Sequence, residues 1–260
     1  MMQDFIEITS KDNAVVKLVS LLQNSSKQRK VNGLFVLEGL RICSDAFDNN
    51  IKFEKLLVTK NAIEKHAIQI QNFADASKNC YILKDELFKK ISDTDTPQGI
   101  IAVAKIPEPQ QTLSTTGKYI ALENISDPSN LGAIARSAEA LGISGIIISQ
   151  CGCDPYSPKS LRSSMGTLLR LPLYVTDNII EFIKRNSLRS FGCVVDKNAA
   201  SILNVKFENG DVLLIGNEAN GLTDASCKSV DRLITIPMSG KAESLNAAAA
   251  ASIAMWEMLR

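Results

Sequence analysis

In the second half of the chain, short apolar runs alternate with longer stretches of helical spacing. Residues 119–122, 145–148, 191–195, 212–215 and 233–236 are short runs rich in aliphatic and β-branched residues, and each predicts a strand. Residues 131–141, 158–168, 178–186 and 245–259 repeat apolar side chains at three- and four-residue intervals and predict helices. In the first of these, Leu131, Ile134, Ala138 and Leu141 form one stripe and Gly142 ends it. Regular alternation of strand and helix implies a mostly parallel sheet with helices on both faces. Ligands of such sheets bind beyond the carboxyl ends of the strands.

The first hundred residues also alternate, less regularly. Val15, Val16, Val19 and Leu22 have helical spacing behind Asp12, a candidate cap. Strands are predicted at 34–37, 55–59, 81–83 and 99–104, and helices at 41–47 and 62–73. Residues 1–106 therefore read as a small α/β domain. Pro107, Pro109, a polar run and Gly117 then mark 107–117 as a linker, leaving 118–260 as the larger domain.

Composition adds exclusions. Of the 260 residues, 45 % are apolar and 22 % charged, which is the profile of an ordinary soluble globular protein. No segment approaches the ~18–20 consecutive apolar residues of a membrane span. The start, Met1 to Glu7, has neither the basic nor the apolar part of a secretory signal, so a cytoplasmic protein with no membrane partner is expected. The six cysteines are scattered, and reduced, buried thiols are expected. Cys151 and Cys153 have no second Cys/His pair to complete a metal site, so no metal is expected. The net charge of +1 carries no nucleic-acid signal for the whole chain. Locally, Lys11, Lys17, Lys27, Arg29 and Lys30 face only Asp4, Glu7 and Asp12, a pattern that suits a solvated helix face or a phosphate-contacting patch.

Three polar clusters fall at predicted strand-to-helix junctions. The first runs from Glu123 to Arg136, with Asn130 at the helix start and Arg136 off the apolar stripe. The second, Leu214 to Thr223, places Glu218 between Gly216 and Gly221. It is neither a dinucleotide fingerprint nor a phosphate loop. The third, Ile236 to Asn246, ends a strand at Pro237 and offers Ser244 as cap of the last helix, with Asn246 in its first turn. Taken singly, each reads as a capping residue, a turn or a surface charge. A further stretch, Asp154 to Gly166, is rich in hydroxyls and carries Lys159 and Arg162.

In order and spacing, N-x-G-A-I-x-R without its usual preceding glycine, I-G-N-E-x-x-G-L and I-P-M-x-G-x-x-E-S-L-N resemble the three motifs of the SpoU (TrmH-like) RNA ribose methyltransferases of the SPOUT superfamily. Ser129, Ser137 and Ala219 depart from the commonest residues at their positions, and none removes a functional group. The 8–13 segment, Leu34 to Arg41 and Thr96 to Gly99 resemble the ribosomal-protein-like RNA-binding domain that precedes many such catalytic domains.

The resemblance implies an α/β fold whose C-terminal parallel-sheet domain holds a deep trefoil knot, a smaller N-terminal RNA-binding domain and a homodimer. It implies S-adenosylmethionine as methyl donor and a ribose 2′-hydroxyl as acceptor, in ribosomal RNA of the 23S type and with guanosine as one candidate. By the same match the cofactor contacts Gly216, Asn217, Ile236, Met238, Leu245 and Asn246. The catalytic set is Arg136, Asn130, Glu218, Ser244 and Asn246. Lys27, Arg29, Lys30, Arg41 and Arg162 are the candidate RNA contacts. An arginine is effectively always charged, so Arg136 reads either as an unusual base or as a group that fixes the neighbouring phosphate. His66, the only histidine, is given no role. The competing readings are a transfer-RNA ribose methyltransferase, a base methyltransferase, a resistance enzyme acting on ribosomal RNA and a non-catalytic RNA-binding protein.

Overall fold

The computed structural model describes residues 5–108 and 110–260. Asp4 and Pro109, used above in the charge pattern and the linker, lie outside them. The chain divides into two compact units, one reaching to Pro107 and including Tyr156–Arg162, the other formed by Glu108–Pro155 and Ser163–Arg260.

The N-terminal unit contains strands β1 (Phe5–Ile8), β2 (Leu34–Glu38), β3 (Phe53–Thr59), β4 (Cys80–Leu83) and β5 (Ile100–Lys105). Its helices are α1 (Ala14–Asn24), α2 (Ser26–Asn32), α3 (Leu40–Asp48), α4 (Lys60–Lys65), α5 (Ala67–Asp75) and α6 (Asp85–Ile91). The sheet order is β1-β4-β3-β5-β2, with β5 antiparallel to both neighbours. Val16, Val19 and Leu22 are buried as their spacing predicts, but Asn13, rather than Asp12, caps α1. The helix expected over 62–73 is split at His66, which ends α4 and precedes α5. Tyr156 packs against Phe35 with ring centroids 5.0 Å apart and planes tilted by 46°, and Arg162 pairs with Asp93 at 2.5 Å, which ties the 156–162 segment to this unit.

The C-terminal unit contains β6 (Tyr119–Leu122), β7 (Gly145–Ser149), β8 (Leu173–Thr176), β9 (Arg189–Cys193), β10 (Ala200–Ser201), β11 (Asp211–Ile215) and β12 (Arg232–Thr235). Its helices are α7 (Pro128–Leu141), α9 (Thr167–Arg170), α10 (Ile179–Arg185), α11 (Asp224–Ser229) and α12 (Ala247–Leu259), while most of α8 (Pro158–Ser164) is counted with the first unit. All seven strands are parallel, in the order β10-β12-β9-β11-β6-β7-β8. Every residue of β6, β7 and β11 is buried, as befits strands covered on both faces. The two strands that periodicity did not predict, β8 and β10, lie at the sheet edges. Positive φ at Met165 and Gly166 breaks the helix expected over 158–168. Tyr119 helps anchor the expected linker: its hydroxyl accepts from the Ser114 N–H at 2.8 Å, and Leu113 is buried.

Candidate active site

Because β12, β9 and β11 are adjacent and parallel, their carboxyl ends open on one edge of the sheet. The segments that follow them enclose a cavity of about 410 Å³, within the size range of small-molecule sites. Leu222, Ile236, Met238 and Leu245 supply apolar wall, and Asn217, Glu218, Asn220 and Ser244 supply polar groups. Cys193, Val194, Val195, Thr235, Ala247 and Ala250 also line it. None of these six was picked out from sequence. Small and apolar residues there carry no chemical signature, and only the end of a strand pointed to them.

The loop after β11 is built by its own backbone. Asn217 and Gly221 exchange two hydrogen bonds, of 3.0 and 2.9 Å. Asn217 Oδ1 accepts from the N–H groups of Ala219 and Asn220, and its Nδ2 donates to the Asn124 carbonyl at 2.8 Å. The side chain of Asn217 therefore shapes the loop, its amide bonded mainly to backbone and also donating to Glu218 Oε2 at 3.4 Å. The closure leaves no room at Gly216, where a Cβ would stand 2.1 Å from the Gly221 carbonyl carbon. Ala219 is not among the residues with positive φ, so its methyl group causes no backbone strain.

One hydrogen-bond chain joins all three polar clusters. Glu218 accepts from the N–H and hydroxyl of Ser126, from the Asp127 N–H at 3.1 Å and from Asn130 Nδ2 at 2.9 Å. Asn130 Oδ1 accepts from Asn246 Nδ2 at 3.0 Å. Asn246 Oδ1 then accepts from the N–H groups of Ala248 and Ala249. The cap of α12 is thus Asn246 and not Ser244, and the cap of α7 is Asp127 and not Asn130. Partial desolvation raises the pKa of Glu218, but the hydrogen bonds from Asn130 and the Ser126 and Asp127 backbone outweigh it and hold the carboxyl at about 2. A carboxylate so occupied and so weakly basic suits an anchor, not a proton acceptor.

Arg136 is exposed on α7, two turns beyond the cap, and lies outside the cavity lining. Among the described residues no hydrogen bond or ion pair holds its guanidinium. Ser244 is exposed at the cavity edge and likewise unpartnered among the described residues. Beside this site Cys153 is half-buried, and burial together with the Glu218 charge pushes its thiol up to about 12. All six cysteines are free, and no metal-binding cluster occurs among the described residues.

The candidate RNA contacts separate into two kinds. Lys27, Lys30 and Arg41 are exposed. Arg29 is buried, and its guanidinium donates to the Leu22 and Gln23 carbonyls at the end of α1. It satisfies backbone acceptors that the helix leaves open and is not free to meet phosphate. Arg162 is half-exposed and paired with Asp93.

A family model described as the SpoU rRNA Methylase family matches residues 117–256. The chain belongs to the SpoU rRNA methylase family. A model of the MRM3-like substrate binding domain matches residues 13–102. Among SpoU relatives, the 23S rRNA (guanosine(2553)-2′-O)-methyltransferase RlmP of Bacillus subtilis is 28 % identical over 97 % of this chain and 98 % of its own. A 23S rRNA (uridine(2479)-2′-O)-methyltransferase of Streptomyces viridochromogenes is 28 % identical, covering 97 % and 91 %. The AdoMet-bound rRNA methyltransferase of Sinorhizobium meliloti superposes with a TM-score of 0.84 at 28 % identity, over 97 % of this chain and 96 % of that one.

Proposed function

We propose that this RNA ribose 2′-O-methyltransferase, supplied by S-adenosylmethionine, acts on 23S ribosomal RNA. The observation that carries this reading is the hydrogen-bond chain Glu218–Asn130–Asn246, which brings the three motif loops together beside the strand-end cavity. Relatives matched over almost their whole length bear 23S ribose methyltransferase names, so the substrate class follows this chain's full extent and not one domain alone.

The cavity suits the cofactor. Its volume, its walls at Leu222, Ile236, Met238 and Leu245, and the tight closure at Gly216 fit an adenosyl group held largely by backbone. When bound there, S-adenosylmethionine supplies an electrophilic methyl carbon on a sulfonium. A ribose hydroxyl is a weak nucleophile, so holding it in line with that carbon carries much of the rate gain, and its proton would pass to solvent as the methyl–sulfur bond breaks. Arg136 takes the phosphate beside the target ribose in a bidentate grip, which its fixed charge favours and which spares it a base's role. Ser244 orients the ribose from the cavity edge. Asn130, Asn246 and Glu218 fix α7 and α12 relative to the loops, since most of their polar capacity is already used among themselves.

The same reading makes the protein cytoplasmic and a homodimer with a knotted C-terminal domain. No helix among the described residues is long and apolar enough to cross a membrane. Ile253 and Trp256, one turn apart on α12, are 44 % and 62 % exposed, an apolar face suited to a second copy.

The test is transfer of an isotopically labelled methyl group to unmodified total RNA, followed by nucleoside mass spectrometry of separated RNA species. A labelled 2′-O-methylnucleoside from 23S RNA is expected. Label in transfer RNA would move the substrate, and label on a base would overturn the ribose assignment.

A further inference from the structure

A second cavity, also about 410 Å³, lies wholly within the N-terminal unit. It forms where β3 ends and β5 begins, two antiparallel strands whose pairing closes at Val58 and Ile100. Helices α4 and α6 form its sides. The floor is fixed by backbone: the Thr59 N–H donates to the Gly99 carbonyl at 3.0 Å, and Thr59 Oγ1 accepts from the Ala62 N–H. Gly99 has φ +77°, and a Cβ there would meet Thr59 Oγ1 at 2.3 Å. Only glycine gives this floor its shape.

The groups around that floor are those that recognise a nucleotide. Lys65 and Lys89 are exposed ammonium groups that make no ion pair among the described residues, and the one acid in the lining is Asp85. His66 is half-buried, with a planar ring, and Phe88 forms apolar wall beneath. Gln98 Oε1 accepts from the Leu40 N–H at 2.8 Å, which fixes the amide and turns its Nε2 into a donor held by no acceptor among the described residues. Asn61 adds a second carboxamide. Single-stranded RNA is read by such sets: cations for phosphate, planar groups for stacking, amides for base edges.

We propose that this cavity holds one unstacked nucleotide of the substrate RNA, with Lys65 and Lys89 on its phosphates and Asn61 and Gln98 at the base edge. The inference rests on the RNA methyltransferase reading and names a substrate-binding site for it. The site is separate from Lys27, Lys30 and Arg41, which lie on α2 and α3. It would select a loop or bulge over continuous duplex, because a paired base cannot enter.

The test compares the full-length wild type with the double variant Lys65→Ala/Lys89→Ala, and with the charge-reversed Lys65→Glu/Lys89→Glu. Unmodified 23S RNA is the probe, used in a binding titration across salt concentrations and in turnover assays. Both variants replace exposed side chains, and matching melting curves establish that they fold. The alanine variant is expected to raise KM for RNA roughly ten-fold or more, to leave kcat within about two-fold and to flatten the salt dependence of binding by ~0.7 per lost phosphate contact. The glutamate variant should be weaker still. Unchanged KM and salt slope overturn the proposal, as does a fall in kcat with KM unmoved. Because the titration needs no methyl transfer, it decides the nucleotide site even if the wild type methylates no RNA, an outcome that would instead sink the enzymatic reading.

Discussion

The two cavities are of similar size but are made in different ways. The C-terminal one is shaped by backbone and small residues: the Asn217–Gly221 exchange, the missing Cβ of Gly216 and the amide chain through Asn130 and Asn246. The N-terminal one has a backbone floor but takes its chemistry from the tips of Lys65, Lys89 and Gln98, carried on separate elements. A site of the first kind tolerates few replacements and is rigid before any ligand arrives. A site of the second kind works through charge and adaptable contacts, which suits a large polyanion met through many weak interactions. The arginines repeat the contrast. Arg29 is locked into carbonyls, whereas Arg136 is exposed with no partner among the described residues.

Filling the backbone-built cavity should do the most damage. Gly216→Val forces side-chain atoms into the Gly221 carbonyl and should weaken S-adenosylmethionine binding about a hundred-fold, near the top of the ~1–3 kcal/mol that overpacking usually costs. Leu245→Arg, at an exposed position, keeps the fold and fills the cavity, and should lose roughly ten-fold or more. Calorimetric titration reads both. Unchanged affinity in the two variants would mean that the cofactor lies elsewhere.

A smaller effect separates the arginine kinds. Arg29→Ala leaves the Leu22 and Gln23 carbonyls without their donor and should cost about 1–3 kcal/mol in denaturant unfolding, with the salt slope of RNA binding unchanged. Lys27→Ala should do the reverse, moving stability by no more than about 0.5 kcal/mol while flattening the slope by up to ~0.9. A slope change in the Arg29 variant at full stability would return that residue to the RNA surface.

The smallest effect is a pH dependence. The carboxyl of Glu218 is lowered from 4.5 to about 2 in the folded protein, so the folded state binds that proton less tightly than the unfolded chain. Its stabilising effect is complete above about pH 4.5 and is lost as pH falls toward 2. The melting-temperature gap between wild type and Glu218→Gln should therefore narrow across that window. A constant gap would show that the charge of Glu218 is not what anchors α7.

Much of this contrast could be read from sequence. The parallel C-terminal sheet was legible because buried parallel strands are unbroken apolar runs, as in β6, β7 and β11, whereas β8 and β10 were not, being short edge strands with few buried residues. Family membership was legible because the C-terminal loops need particular residues at fixed spacing. Capping assignments slipped by one to three residues, from Asp12 to Asn13, Asn130 to Asp127 and Ser244 to Asn246, because several competent caps sit side by side in each loop. Arg29 was misread because charge spacing does not reveal that a guanidinium turns inward to close a neighbouring helix. The N-terminal cavity was not legible at all, since Lys65, His66 and Lys89 each look like ordinary solvated positions until the parallel strands β3 and β4 set α4 and α6 side by side.

Cofactor and RNA are assigned to separate elements, the strand-end loops for the first and Arg136, on its own helix, for the second. Turnover and S-adenosylmethionine affinity measured side by side in Arg136→Ala test this division most directly. In that variant kcat is expected to fall at least about a hundred-fold while cofactor affinity stays within a few-fold. Full turnover in that variant, or a loss of cofactor binding that matches the loss of rate, would contradict it.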